Sequence, residues 1–316
     1  MLQPKSLLLI GCGLFLIGFF QQLCLSQAQK DKPIMVHFLF SFGSLGSERG
    51  QFKEPQALSI DLEGNIYVAD TGNNRLQKFD ARGNFIKEVG GFGWEKEQFH
   101  RPLDVCARSA LDVFVADYHN QRIERYDRNL NYISSLYSDE ALPEKLQFGR
   151  PCGLGFSGHR ELFIVDDENH RILKISSFGV PETSFGDFDW GQGKLDQPVQ
   201  VEISQEDKIF VSDEAGKRIV VFDYFGNYLT EIGTGLLSQP KGLFWDESGR
   251  LLVADAGHHQ VIIFDGQGSL IGSFASGQKT LLNLQNPVDV VARKNWVYVL
   301  DSRSSSVKVF ELTTVP

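Results

Sequence analysis

The chain lacks any stretch of sustained helical periodicity, which argues against helical bundles and α/β sheets alike. It also lacks a run of basic residues: 31 Lys and Arg face 40 Asp and Glu, for a net charge of −9. A nucleic-acid backbone needs a clustered cationic face, so this composition argues against nucleic acid as a partner. Cysteine is scarce, with four in 316 residues, and Cys12 and Cys24 fall in an apolar N-terminal segment. Cys106 and Cys152 stand four and one residues after Pro102 and Pro151. On neighbouring strands that offset is about 10 Å, too far for a disulfide. Buried free thiols are therefore expected. No kinase-like, RING-like or coiled-coil segment is present, so a signalling partner would be a separate polypeptide.

The N-terminus reads as an export signal. Lys5 precedes the apolar run Leu7 to Phe20, and Ser26-Gln27-Ala28 has the small-x-small pattern of a cleavage site. The run is shorter than the roughly 20 residues of a membrane span. The expected organisation is a signal peptide over 1–28 and one domain over 29–316, secreted or periplasmic, with no stable membrane span in the mature chain. The alternative is a retained membrane anchor over 6–25. Leu9-Ile10-Gly11-Cys12 resembles a lipoprotein cleavage box, but apolar residues continue past Cys12.

What is present is a repeat. Asp70, Asp117, Asp166, Asp213, Asp255 and Asp301 each end a short apolar run such as Ile66-Tyr67-Val68-Ala69 or Ile209-Phe210-Val211-Ser212. Each lies 15 residues after a Pro (Pro55, Pro102, Pro151, Pro198, Pro240), or 14 after Pro287 in the last unit. The Asps recur at intervals of 47, 49, 47, 42 and 46 residues, a period that marks propellers and solenoids. β-Branched and aromatic residues make the runs strands, and their unbroken apolarity implies burial on both faces. A second run follows each Asp (Leu76-Gln77-Lys78-Phe79), then turns such as Asp80-Ala81-Arg82-Gly83 and Asp223-Tyr224-Phe225-Gly226, then a further strand. The strand after each Pro is marked by Leu58, Val105, Leu154, Val201, Leu243 and Val290. Six units of four antiparallel strands predict an all-β, six-bladed β-propeller. The last unit stops after three strands, and the spare segment Val36 to Gly43 is expected to complete it.

The units resemble NHL repeats. The Asp, Asn-x-Arg-Ile and Phe-Asp pattern shows best in Asp166-Asp167-Glu168-Asn169-His170-Arg171-Ile172 and Asp70-Thr71-Gly72-Asn73-Asn74-Arg75-Leu76, with Arg122 and Arg218 in place and Gln260 and Ser306 departing from it. The resemblance implies the propeller but no activity. Some NHL proteins bind RNA through a basic face, which this chain lacks. Related peptide-amidating lyases hold zinc with channel histidines, and no matching triad is found here.

The repeated Asp is read as structural, accepting backbone bonds across the turn to the next strand. His119, His170, His258 and His259 lie in the loops after those Asps, at a radius where different blades diverge, so no metal site is expected. Candidate ligand contacts fall at the channel mouth. Glu54, Arg101, Arg150, Gln197, Gln239 and Asn286 precede the Pros; Ala57, Asp104, Gly153, Gln200, Gly242 and Asp289 stand two after them. Of these, Glu54, Arg101, Asp104, Arg150, Gln200 and Asp289, with nearby His100, form a ring able to grip a carboxylate or sugar. Arg101 and Arg150 should share one rim, neutralised in part by Glu54 and Asp104. Loops on the same face, including the long ones from Ser135 to Arg150 and Phe185 to Gln197, present Trp94, Tyr118, Tyr137, Phe188 and Trp190, with two of the five expected to be exposed. The expectation is a monomeric, non-catalytic module binding a protein, peptide or glycan, without cofactor. The alternative is a lyase or lactone hydrolase using a channel-bound divalent cation held by Glu54, Asp104, Asp289 and Asn286.

Overall fold

A computed structural model describes residues 34–188, 191–275 and 283–314. The signal-peptide reading over 1–28 and the candidate Trp190 lie outside the described residues. The segment Val36–Leu312 is one compact unit, and it is the six-bladed propeller read from the repeat. Blade 1 comprises Ala57–Ile60, Ile66–Asp70, Arg75–Phe79 and Phe85–Gly90; blade 2, Pro102–Cys106, Asp112–Asp117, Arg122–Asp127 and Tyr132–Tyr137. Blade 3 comprises Pro151–Phe156, Leu162–Asp166, Arg171–Ile175 and Pro181–Phe185; blade 4, Pro198–Ile203, Ile209–Asp213, Arg218–Phe222 and Tyr228–Ile232. Blade 5 comprises Pro240–Trp245, Leu251–Asp255, Gln260–Phe264 and Leu270–Phe274. Blade 6 comprises Pro287–Arg293, Trp296–Asp301 and Ser306–Thr314, and the N-terminal strand Ile34–Phe42 adds its fourth, outermost strand.

The first strands contact one another in a closed cycle, blade 6 touching blade 1, so they line the central channel. Their upper ends carry the Pros. Second strands are buried almost throughout, because a neighbouring blade packs on each face. Outermost strands alternate between half-buried and exposed, as Ile34–Phe42 does. That alternation places Phe38, Phe40 and Phe42 inward, half-buried. Phe38 packs edge-on to Phe310 at 5.8 Å and Phe40 to Trp296 at 5.8 Å. Phe42 crosses to Phe79 of blade 1 at 5.2 Å, so the closing strand also seals the junction between last and first blades. Cys106 is buried and Cys152 half-exposed, both as free thiols; only the first matches the expected burial.

Deleting the chain through Gly43 removes a ladder and three half-buried aromatics. Unfolding free energy should fall by about 3–5 kcal/mol, read from the denaturant midpoint. An unchanged midpoint would refute the closing role of this strand.

Candidate functional site

The repeated Asps come first, because they hold the loops of the functional face. All six are fully buried. Each accepts backbone N–H groups from the loop leading into its own first strand: Asp70 from Lys53 at 2.7 Å, Asp117 from His100 at 2.8 Å, Asp166 from Gly149 at 3.1 Å, Asp213 and Asp255 from Gln197 and Gln239 at 2.8 Å, and Asp301 from Gln285 at 2.8 Å. The structural role expected for them stands, but the bonds run mainly to that incoming loop rather than to the following strand. The turn itself is closed four residues after each Asp by a left-handed residue, φ between 50° and 57°, at Asn74, Gln121, His170, Lys217, His259 and Ser305. His170 and His259 thus serve the turn.

A buried carboxylate needs partners, and a side chain adds one to the backbone N–H groups. Arg75, Arg122, Arg171 and Arg218 supply it from five residues on, at 2.7, 2.9, 3.3 and 3.2 Å. Where the repeat departs from Arg, other residues substitute: His258 Nδ1 lies 2.7 Å from Asp255, and Lys308 Nζ 3.0 Å from Asp301. Burial alone would raise the Asp301 pKa, but the Gln285 N–H and Lys308 hold it below the usual value. The arginines also donate to loop carbonyls. Arg122 binds those of Trp94 at 2.9 Å, Glu95 at 3.0 Å and Gln98 at 2.6 Å, fixing the loop that carries the candidate aromatics.

The channel differs from the sequence expectation. Asp104, Gln200 and Asp289 do not face solvent at the mouth; Asp104 and Asp289 are buried and Gln200 half-buried. Each reaches sideways to the next blade. Asp104 accepts the Leu154 N–H at 2.6 Å, Asp289 the Leu58 N–H at 2.6 Å, and Gln200 the Leu243 N–H. Even-numbered blades thus send a side-chain oxygen that accepts an N–H of the next, odd-numbered blade, while Gly153 and Gly242 leave room on their other side for the blade that follows. A Cβ on Gly242 would lie 2.1 Å from Asp289 Oδ1. A register break just after Pro102, Pro198 and Pro287 re-aims these side chains. Asp104 therefore does not neutralise Arg101 or Arg150, which corrects that part of the expectation. Burial, with the Glu202 charge nearby, pushes the Asp104 carboxyl up to about 8; burial and the Asp104 charge push Asp289 well up. At the opposite end of the channel, Arg108 of blade 2 pairs with Glu202 of blade 4 and lies 4.7 Å from the Phe244 ring of blade 5. It stretches across the channel, a contact between distant segments that no sequence spacing announced.

The upper face joins most of the remaining candidates. Phe92 lies 5.4 Å from Trp94 and 5.1 Å from His100; His100 lies 4.6 Å from His119, which lies 5.0 Å from Tyr118. The Arg150 guanidinium sits 5.9 Å from the Tyr118 ring, whose hydroxyl donates to Asp167 at 2.6 Å. Arg101 pairs loosely with Glu54 at 3.5 Å and Arg150 with Glu168 at 3.8 Å, all four side chains being open to solvent. Burial and the charges of His100, Arg101 and Arg150 hold His119 below its usual pKa. Arg101 itself has a left-handed φ of 58°, with its N–H held by Asn74 Oδ1 at 2.9 Å. Phe92, Trp94, Tyr137 and Phe188 are exposed at 58%, 68%, 56% and 65%, and Tyr118 is half-buried. Three of the four described aromatic candidates are thus exposed. Phe188 stands apart, beside His170 and Lys194. Phe92, His119, Asp167 and Glu168 are additions. Phe92 was legible as an aromatic between glycines Gly91 and Gly93.

Residues 52–79 match the NHL repeat model. Two curated relatives align over 60 residues, 19% of this chain: B-box type zinc finger protein ncl-1 of Caenorhabditis elegans at 42% identity and protein brain tumor of Drosophila melanogaster at 40%. The chain spans only 7% and 6% of their lengths. Among solved structures, virginiamycin B lyase from Staphylococcus aureus superposes with TM-score 0.62 at 14% identity, over 90% of this chain and all of that one. A Bacteroides thetaiotaomicron protein of unknown function gives 0.68 at 12%, over 89% and 76%. At such identities the likeness is one of fold.

The buried acids carry a pH signature. Below pH ~4 both folded and unfolded chains hold the Asp104 proton; from there to about 8 only the folded chain does, so stability falls as pH rises. Asp104→Asn should match the wild-type melting temperature near pH ~4 and exceed it increasingly toward pH 8, because an amide at Gln200 already makes the same tie. Parallel melting curves across that range would contradict this.

Proposed function

We propose that this propeller is an exported recognition module whose upper face holds a peptide segment of a protein partner. The observation that carries the reading is the continuous run of rings Phe92, Trp94, His100, His119 and Tyr118, ending at the Arg150 guanidinium, with Arg101 next to His100 in the chain and open to solvent. Exposed aromatics beside Arg concentrate binding energy at interfaces, and large exposed apolar surface on a soluble domain marks a contact site. The arginines are suited to a carboxylate, from an acidic side chain or a chain terminus. Export rests on the apolar leader and the Ser26-Gln27-Ala28 pattern.

The metal-dependent enzyme alternative is less well supported. Its four oxygen donors do not converge: Glu54 turns to Arg101, Asp104 and Asp289 to backbone N–H groups, and Asn286 to Ser302 at 2.7 Å. Among the described residues no three of His, Cys, Asp and Glu are grouped to hold a metal ion. The glycan reading keeps the same face and becomes an outcome of the test.

A displayed random-peptide library panned on the propeller should enrich sequences pairing an acidic or C-terminal carboxylate with an apolar side chain. Replacing Trp94, Arg101 and Arg150 together by Ala should cost at least about 2 kcal/mol of binding. Stability should change by about 0.5 kcal/mol or less per site, since all three are exposed. Selected peptides that bind the triple variant at full affinity would remove the face from this reading. Enrichment of carboxylated sugars from a glycan array, with no peptide enriched, would replace the peptide by a glycan.

A further inference from the structure

Five blades share one lower turn between their third and fourth strands, closed by an N–H bond to the carbonyl three residues back: Gly83 to Asp80, Leu130 to Asp127, Gly179 to Ser176, Gly226 to Asp223 and Gly268 to Asp265. The turn's fourth residue meets the preceding blade. A Cβ on Gly83, Gly226 or Gly268 would lie 2.4, 2.5 or 2.8 Å from Phe42, Phe185 or Ile232, respectively. In blade 2 the position is Leu130, itself buried in one apolar cluster with Tyr67 and Leu76 of blade 1. That junction is further sealed by polar ties, with Lys78 Nζ 2.7 Å from the Arg128 carbonyl and Lys87 Nζ 2.6 Å from that of Asn129. At the junction of blades 3 and 4, Tyr224 fills the gap, its hydroxyl 2.5 Å from Glu161 and its ring 3.6 Å from Lys174 Nζ.

The junction of blades 2 and 3 has no such filler. A Cβ on Gly179 would meet no atom within 4 Å. Ser177 stands where Tyr224 stands one blade on, and Arg125, in the place of Lys78, turns back to its own Asp112 at 2.9 Å. What remains is a cavity of about 180 Å³ lined below by Phe114, Leu136, Phe156 and Ile175, with Arg125, Asp112 and Arg160 at its rim. The Phe114 and Phe156 rings stack at 5.7 Å and form its inner wall. Arg125 is neutralised by Asp112, whereas the Arg160 guanidinium has no ion pair among the described residues. The site therefore joins this one exposed cation to the ring-lined inner wall, and the rest of its lining includes the polar Ser134, Ser135 and Ser177.

We propose that this inter-blade cavity is a binding site for a small aromatic monocarboxylate. The ring lies against Phe114, Leu136 and Phe156, and the carboxylate meets Arg160. An apolar cavity of about 150 Å³ accepts one benzene-sized molecule, so this volume suits a single or fused ring. A charge-assisted bond from a planar guanidinium selects the anion over its neutral analogue. The site lies on the lower side of the blades and does not depend on the upper-face reading.

The test is calorimetric titration of the full propeller with indole-3-carboxylate and with neutral indole. The wild type should bind the carboxylate saturably, with Kd near or below about 1 mM. Arg160→Gln should weaken the carboxylate about tenfold while leaving indole within about twofold. Gly179→Leu should abolish binding of both at the cost of a small fall in melting temperature, since Gly179 has a φ of 79° that strains any L side chain, although Leu130 adopts 56° at the same turn position. Leu136→Trp fills the cavity from the other wall and serves as the second blocking variant. No saturable binding by the wild type, full binding by both blocking variants, or equal loss of indole and carboxylate on Arg160→Gln would each overturn the proposal.

Discussion

Everything in this propeller hangs on one interaction, a fully buried Asp at the end of each second strand that ties down the loop entering its own blade. Removing a carboxylate from water costs several kcal/mol even after relaxation. Here that cost is offset by convergence: one to three backbone N–H groups and a side-chain nitrogen on the same carboxylate. Blades 5 and 6 show that the requirement is a side-chain nitrogen on the carboxylate rather than arginine as such. His258 comes from inside the turn and Lys308 from the next strand, yet both reach the carboxylate that Arg reaches elsewhere. The pin also links stability to the binding face. Arg122, held by Asp117, carries the carbonyls of Trp94, Glu95 and Gln98, so the exposed rings stand on a loop whose backbone is fixed from below.

The channel solves a second problem, how to join first strands that carry no ladder between blades. Alternate blades send a carbonyl or carboxylate oxygen to the backbone of the next, and the receiving blades are small at the same position. The result is a three-fold pattern within a six-fold ring, with the Arg108 span closing on Glu202 beyond it. Asp104 and Asp289 are costly as anions in this setting, which explains their raised pKa values. The amide of Gln200 makes the same tie without that penalty.

The fold was legible because it is repeated: six coincident Pro-to-Asp intervals leave little freedom, and a missing last strand beside a spare first one specifies the closure. Arg101, Arg150, Trp94, His100 and Tyr118 were legible as a face because all sit at the upper ends of their units. The direction of individual side chains was not. Asp104, Gln200 and Asp289 were read toward the channel mouth, and the irregularity after the Pro, invisible in sequence, turns them into the blade interface instead. Contacts such as Arg108 with Glu202 depend on closure of the ring, and no local pattern encodes them. Both cysteines are free thiols, and Cys152, although only partly buried, packs against the cluster of blades 3 and 4 with its thiol on the Pro198 and Val199 carbonyls.

A repeat supplies its own control for asking where function resides. Positions that every blade fills alike are accounted for by packing, and the Asp, the left-handed turn residue and the apolar second strand belong there. Departures fall into two kinds. Some are compensated nearby, as when His258 and Lys308 replace Arg, and these restore the structural role. Others are left uncompensated: the exposed Phe92 and Trp94, and the empty space at Gly179 where Leu130 or Tyr224 fills the neighbouring junctions. The unfilled cavity forgoes burial that the same scaffold achieves one blade away, whereas Phe92 keeps the exposure of Leu45 at the same place in blade 1 and puts a ring there. An uncompensated departure of that kind is the physical mark of a surface kept available for something other than folding.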